Sequence, residues 1–221
     1  LTTYSVGGAA ALFIRPASKE EVLRVAKATA LANVPVLLVG KGSNLLVSDS
    51  GFEGIVLQLG SAFDWIRVEG HKVLVGGAAS MPVVARRTAA ESLTGFEWAV
   101  GVPGSVGGAI RMNAGGHGSD MAAVLISASC VDMCTGVLLE RTVEELNFGY
   151  RSSSVGESEV VLGAELILRR GSVVESDRLL AEIVRWRRDN QPGGQNAGSV
   201  FVNPPGDSAG RLIDLAGVRG L

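Results

Sequence analysis

Three side chains of the sequence are placed to do chemistry: Lys41, Arg151 and Ser199. Lys41 lies in Val39-Gly40-Lys41-Gly42-Ser43-Asn44, directly after the apolar run Val36 to Val39. Its ammonium either neutralises a phosphate or faces water. Arg151 follows Tyr150 in Asn147-Phe148-Gly149-Tyr150-Arg151-Ser152-Ser153. A planar guanidinium pairs with a carboxylate through two parallel hydrogen bonds; the competing reading is a surface salt bridge. Ser199 sits in Gly198-Ser199-Val200-Phe201-Val202-Asn203-Pro204. It is a turn residue, a ligand contact or proton donor, or a nucleophile, and the last has no support because neither a GxSxG elbow nor a nearby histidine accompanies it.

The stretch that organises the rest is Gly101 to Gly118, GVPGSVGGAIRMNAGGHG. Pro103 fixes one dihedral and removes a donor. Gly101, Gly104, Gly107 and Gly108 permit positive φ and close approach of main chain to another body. Ser105 to Arg111 reads as a short helix whose first N–H groups are expected to be free, and such groups bind anions. Two donor-rich turns, Gly40–Asn44 and Gly101–Gly108, point to one phosphate-bearing ligand gripped from two sides. The alternative is that the glycines serve tight turns only. Asn44 and Asn113 are open to two readings, satisfying loop backbone or touching a ligand.

The elements that must position these residues follow from the hydrophobic periods. Residues 10–14 read as a strand, and Ser18 with Glu21 as a capping box opening a helix over 21–33. Strands are expected at 36–39, 45–47 and 55–57, then a hairpin of 65–68 with 72–76. Ser80 is expected to cap a helix over 81–92, and residues 95–100 form a hinge into the glycine stretch. Residues 124–132 and 137–140 pair as strands, and Thr142 with Glu145 caps a helix of one or two turns. A long strand at 160–169 precedes a helix at 177–189 whose apolar side is Leu179, Leu180, Ile183, Val184 and Trp186. A loop covers 191–205. This is α+β, without the regular alternation or the GxGxxG of a doubly wound nucleotide fold and without a P-loop.

Composition narrows the class. The 221 residues are 47% hydrophobic and 19% charged with a formal charge of −2, so nothing basic invites nucleic acid or an anionic membrane. Glycine numbers 30, clustered at turns and without the strict period of collagen. Cys130 and Cys134 are too few for a disulfide framework; Cys130, among apolar neighbours, reads as a buried free thiol. His71 and His117 stand in unrelated contexts, so no metal site is expected. A monomeric cytoplasmic protein is the expectation. The chain starts at Leu1 without Met and stops at Leu221 just after Gly217-Val218-Arg219-Gly220, which reads as a truncated piece of a longer protein.

Taken in order, Thr3-Tyr4-Ser5-Val6-Gly7-Gly8, VGKGSNLLV at 39–47, Gly101–Gly118, Tyr150-Arg151-Ser152-Ser153, Asn196–Pro204 and AGRLIDLAGVRG at 209–220 resemble the UDP-N-acetylenolpyruvoylglucosamine reductases, flavoenzymes of bacterial peptidoglycan synthesis. The resemblance spans nearly the whole chain. It implies a vanillyl-alcohol-oxidase/PCMH-type FAD-binding fold, with FAD-binding subdomains at 1–58 and 59–190 and the start of a substrate-binding domain at 191–221. It implies FAD contacts from Val39, Gly40, Lys41, Gly42, Ser43, Asn44, Gly101, Pro103, Gly104, Ser105, Gly107, Gly108, Asn113 and Gly118. The implied reaction is reduction of UDP-N-acetylglucosamine enolpyruvate to UDP-N-acetylmuramate by NADPH, the hydride passing through FAD. Arg151 then corresponds to the arginine beside the substrate carboxylate, Ser199 to the proton donor, and Tyr150 and Asn203 to substrate-binding positions. Val202 stands where the family pattern often carries Lys, removing one positive contact with the diphosphate. The family's C-terminal catalytic glutamate has no counterpart in these 221 residues. The competing readings are another FAD oxidoreductase of the same fold and a non-catalytic flavin- or nucleotide-binding module.

Overall fold

Three parallel strands open the computed structural model of the chain, which describes residues 2–191, 193–194 and 201–218. β1 (Ala10–Ile14) passes through Arg15 and Pro16 into α1 (Lys19–Ala32), followed by β2 (Val36–Leu38) and β3 (Phe52–Leu57). The expected capping box forms with a small shift. Ser18 accepts from the Glu21 N–H, and the Glu21 carboxylate reaches back to the Ala17 N–H at 2.7 Å, so orphan donors at the helix start are satisfied. Asn33 ends the helix in the left-handed region. The strands pair in the order β1-β3-β2, both pairings parallel, which brings all three carboxyl ends to one edge. The strand expected at 45–47 does not form. Those residues have no ladder partner; the Gly8 N–H instead bonds the Ser48 carbonyl, and Gly7 packs against Val47 so closely that a Cβ there would lie 2.4 Å from its oxygen.

The second sheet is antiparallel. β4 (Ile66–Glu69) and β5 (Lys72–Gly76) form a hairpin around Gly70, at φ 66°. Next come α2 (Met81–Ala90), β6 (Leu93–Thr94), a 3-10 turn at Glu97–Gly101, α3 (Val106–Arg111) and the small ribbon of β7 (Gly115–Gly116) and β8 (Ser119–Asp120). β9 (Leu125–Asp132), β10 (Leu138–Thr142), β11 (Glu159–Ile167), β12 (Arg169–Arg170), α4 (Val173–Asn190) and α5 (Ala209–Leu215) complete the chain. The sheet order is β10-β9-β11-β5-β4. Both faces of this sheet are covered. On one, Val73, Val75, Ala128 and Leu166 pack with α2, α3 and the 3-10 turn; on the other, Val131, Val160 and Leu162 pack with Val22 and Ala26 of α1. This is why Val160, Val161 and Leu162 are buried in succession instead of alternating. Cys130 lies inside this sheet as a free thiol, and burial, with the Glu159 carboxylate nearby, pushes it up to about 12. It stays protonated and unreactive.

Four expectations are corrected. Ser80 makes no side-chain cap on α2. Thr142 and Glu145 exchange their capping bonds around a turn that does not continue into a helix. α4 starts four residues early because Ser172 caps it by accepting from Glu175 N–H, and Val184 and Trp186 of its expected apolar side are exposed. The segment 95–100 is no hinge: Glu97, Trp98, Ala99 and Val100 are buried.

The Glu97 carboxylate fixes that segment. Thr94 Oγ1 donates to it at 2.7 Å, the Gly95 N–H at 2.8 Å and Ser176 Oγ of α4 at 2.6 Å. Burial alone would raise its pKa; the bonds from Ser176, Thr94 and the backbone outweigh burial and hold it below the ordinary carboxylate value. A depressed carboxyl adds stability above its unfolded pKa and loses it as pH falls through the folded value. Glu97→Gln, which turns a donor toward groups that are themselves donors, is therefore expected to lower unfolding stability by about 1–3 kcal/mol at neutral pH. The deficit relative to the wild type shrinks as urea melts are repeated toward pH 3; a deficit independent of pH would refute the assignment.

Candidate functional site

The chain leaves the parallel sheet where its three carboxyl ends meet, and a crevice at such an edge is where open α/β sheets place ligands. The Val39 N–H makes the last tie, to the Leu57 carbonyl at 2.9 Å. Beyond it, among the described residues, the N–H groups of Gly40, Lys41, Gly42, Ser43 and Asn44 donate to no protein acceptor. The loop is held by its oxygens instead. Gln58 Nε2 donates to the Gly40 carbonyl at 2.5 Å, the Thr3 N–H to the Gly42 carbonyl at 3.0 Å, and Arg15 steadies Gln58 through its Oε1 at 2.6 Å. Gly42, at φ 65°, turns the loop. Carbonyls tied back with successive N–H groups left over make an anion-binding concavity.

The second glycine loop closes against the first. A Cβ on Gly40 would lie 2.5 Å from Ser105 Oγ, and one on Gly104, at φ 121°, would lie 3.1 Å from Ser43 Oγ. The helix that follows is α3, as expected, but its first N–H groups are not free. Val106 N–H bonds the Ala79 carbonyl, Gly107 N–H the Gly77 carbonyl, and Gly108 N–H the Ser105 hydroxyl. The first two bonds dock α3 on the chain just after β5, and the donors of Val106, Gly107 and Gly108 are all spent within the protein. A cavity of 310 Å³ runs from the cradle between the two sheets, lined by Arg15, Lys41, Gln58, Gly77, Ser105 and Val161 among others. Gln58, Arg15 and Gly77 were missed in the sequence. The available signal was position: Arg15 and Gln58 each follow the last residue of a strand, and Gly77 doubles Gly76.

The remaining cofactor positions divide. Gly101 ends the 3-10 turn, where a Cβ would lie 3.0 Å from Ile183 Cγ2 of α4; Pro103 continues from it into the loop; and Gly118, at φ 84°, is at the tip of the β7–β8 ribbon with open space beside it. Asn113 is buried, and its amide is committed to the protein. Nδ2 donates to Asp120 Oδ2 and to the Gly149 carbonyl, both at 3.1 Å, and Oδ1 accepts from the Ala122 N–H at 3.1 Å.

Gly149 to Ser152 forms a tight turn with Tyr150 and Arg151 at its tip, closed by Gly149 N–H to Ser152 O at 3.0 Å and Ser152 N–H to Gly149 O at 3.3 Å. Arg151 adopts φ 55°, a conformation that costs a non-glycine residue about 1–2 kcal/mol. Its guanidinium donates to the Gly115 carbonyl at 3.1 Å, lies 5.4 Å from the Tyr150 ring centroid, and forms no ion pair among the described residues. An exposed cation in a strained turn, without an acid beside it, suits an anionic ligand. Asn203 Oδ1 accepts from the Ala209 N–H at 3.0 Å. Ser199 lies outside the described residues. Among the described residues no group of histidines, cysteines or carboxylates is arranged to hold a metal, and no helix is long and apolar enough to cross a membrane.

The donor set fits the dinucleotide cofactor expected from the sequence: unsatisfied N–H groups for a pyrophosphate, Lys41 and Arg15 beside them, and glycines where a side chain would fill the cradle. Comparison with known proteins agrees. A family model described as an FAD binding domain matches residues 10–141, and one for the UDP-N-acetylenolpyruvoylglucosamine reductase C-terminal domain matches residues 190–221. The UDP-N-acetylenolpyruvoylglucosamine reductase of Paramagnetospirillum magneticum is 42% identical over 221 residues, covering 100% of this chain and 71% of that protein. Reductase 2 of Symbiobacterium thermophilum is 39% identical, covering 99% and 71%. The crystal structure of the Thermus caldophilus reductase superposes with a TM-score of 0.87 at 37% identity, covering 100% of this chain and 78% of that one. 6-Hydroxy-D-nicotine oxidase from Arthrobacter nicotinovorans aligns with a TM-score of 0.54 at 17% identity over 72% of this chain and 36% of its own, a likeness of fold alone. The fold is thus the vanillyl-alcohol-oxidase/PCMH type of FAD-binding fold.

Proposed function

Because the chain belongs to the UDP-N-acetylenolpyruvoylglucosamine reductase family of FAD-dependent oxidoreductases, we propose that it reduces UDP-N-acetylglucosamine enolpyruvate to UDP-N-acetylmuramate with NADPH. The observation that carries this reading is the row of unpartnered N–H groups from Gly40 to Asn44. They hold the FAD pyrophosphate, Lys41 adds charge, and Val39, Gly101, Pro103, Gly104, Ser105, Gly107, Gly108 and Gly118 shape the walls. FAD, when bound, would supply the redox chemistry, the transfer of a hydride from NADPH to the methylene carbon of the enolpyruvyl group. The protein's own task is to manage charge and protons. Arg151 pairs with the substrate carboxylate, where negative charge grows as the double bond accepts the hydride, and a fixed cation there lowers the barrier. Ser199 gives its proton to the adjacent carbon, leaving a saturated lactyl ether. Tyr150 and Asn203 contact the substrate, the latter near the diphosphate.

Residues 1–58 and 59–190 are the FAD-binding subdomains in this reading, and 191–221 belong to the substrate-binding domain. The protein acts as a cytoplasmic monomer on a soluble nucleotide sugar. The test is anaerobic: the purified flavoprotein is bleached with NADPH and then given UDP-N-acetylglucosamine enolpyruvate. Return of the oxidised flavin spectrum with formation of UDP-N-acetylmuramate is expected. A flavin that bleaches yet ignores the nucleotide sugar would assign the chain to another oxidation on the same fold.

A further inference from the structure

We propose that Asn113 is a positioning residue for Arg151: its buried amide holds the Gly149 carbonyl and thereby sets the turn from which the guanidinium projects. Asn113 is 6% exposed and sits at φ 38°, a conformation asparagine tolerates better than most residues. It joins three pieces of chain. The Ala122 N–H and the Asp120 carboxylate fix its two ends, at 3.1 Å each, and its remaining N–H reaches Gly149 O, also at 3.1 Å. Asp120 is itself fixed by the Ala123 N–H at 3.2 Å. Gly149 O is also the acceptor that closes the Tyr150–Arg151 turn through Ser152 N–H. Arg151 is therefore secured twice, its backbone through Asn113 and its head through Gly115 O at 3.1 Å. Both anchors come from the segment that carries the β7–β8 ribbon. A left-handed arginine persists only where surrounding bonds over-determine it, and the Asn113 N–H is the side-chain bond that does so. The amide for which the resemblance implies a cofactor contact acts, in this proposal, on the substrate side.

This inference rests on reading Arg151 as the partner of the substrate carboxylate, and the experiment separates the two. Asn113→Asp with Asp120→Asn exchanges the two side chains. The bond between positions 113 and 120 is kept with its direction reversed, the Ala122 and Ala123 N–H groups keep acceptors, and at Gly149 O the donor is replaced by a carboxylate oxygen. The exchange is expected to lower kcat/KM for UDP-N-acetylglucosamine enolpyruvate about tenfold, the order of one hydrogen bond to a buried carbonyl. It is expected to weaken UDP-N-acetylmuramate binding, read from the flavin absorbance of the oxidised protein, by a similar factor. Flavin content stays at the wild-type level. Arg151→Ala is expected to cost about 100-fold, the order of a charge-assisted bidentate pair, and the exchange adds nothing further in that background. Asn113→Ala gives the same pattern with a lower melting temperature and serves if the exchange does not fold. Losses that multiply in the combined variant, wild-type kcat/KM in the exchange, or a flavin lost on purification would each overturn the role. Wild-type kcat/KM in Arg151→Ala would remove the reading of Arg151, and this inference with it.

Discussion

Gly77→Ala is expected to yield a protein that no longer retains flavin and melts well below the wild type. An added Cβ would lie 1.9 Å from the Val161 carbonyl oxygen and 3.0 Å from its carbon. Both are backbone atoms in the middle of β11, so no side-chain rotation relieves the clash. Gly77 also donates to the Leu162 carbonyl at 2.8 Å and accepts from the Gly107 N–H at 2.9 Å. Gly107 lies equally close, its own Cβ position being 3.2 Å from the Gly77 oxygen and 3.3 Å from the Val161 oxygen. Three main chains therefore meet without side chains between them, and the contact docks α3, and with it the second glycine loop, onto the sheet. Overpacking of this kind costs about 1–3 kcal/mol or more, and its displacement falls on the wall opposite the free N–H row. Gly70→Ala is the control. Gly70 has φ 66° with no atom near its Cβ position, so the substitution costs about 1–2 kcal/mol of left-handed strain at a hairpin tip remote from the cradle. Flavin absorbance of the purified variants, alongside their thermal melts, decides the matter. Retention of flavin in Gly77→Ala at the wild-type ratio would show that the contact does not shape the cofactor site.

What could be read from sequence was local. The capping box at Ser18–Glu21, the hairpin at Gly70, the strands of the antiparallel sheet and the helix after Gly104 all follow from side-chain periods and turn residues within a few positions. The two glycine loops were legible as donor-rich, and the Gly40–Ser105 and Gly104–Ser43 contacts bring them together. The failures are non-local. Residues 45–47 have strand chemistry and no neighbouring strand to pair with. Whether the α3 N–H groups are free depends on carbonyls 27 to 30 residues earlier in the chain, at Gly77 and Ala79. The buried segment 95–100 is tied through Glu97 to Ser176 on α4, 79 residues along the chain, as well as to its neighbours Thr94 and Gly95. Asn113 has the same character: its type permits a ligand contact, and only the folded position of Gly149 and Asp120 shows where its donors go.

Ser199→Ala is expected to give a protein that binds flavin and is bleached by NADPH at the wild-type rate, yet turns over UDP-N-acetylglucosamine enolpyruvate about 10²–10⁴-fold more slowly, the usual worth of a positioned general acid. A neutral serine hydroxyl is a very weak acid, and it transfers a proton at a useful rate only to a strong base. Addition of hydride to the methylene carbon produces such a base, a carbanion or enolate stabilised by the adjacent carboxylate. In the proposed reaction Arg151 sets how basic that species is. Full neutralisation of the carboxylate would disperse the charge and slow protonation, while loss of the guanidinium would raise the barrier to hydride addition. The two residues therefore fail differently. Arg151→Ala weakens substrate and product binding along with turnover, whereas Ser199→Ala leaves binding intact and lowers kcat. Hydride addition without protonation reverses, so recovery of the flavin reports both steps: followed by stopped flow against nucleotide concentration, its saturating rate falls with unchanged half-saturation in Ser199→Ala, half-saturation rises in Arg151→Ala, and bleaching by NADPH is unaffected in both. A variant that recovers as fast as the wild type would exclude the hydroxyl as proton donor and leave solvent to supply the proton; one slowed equally in both phases would place Ser199 in the flavin seat instead.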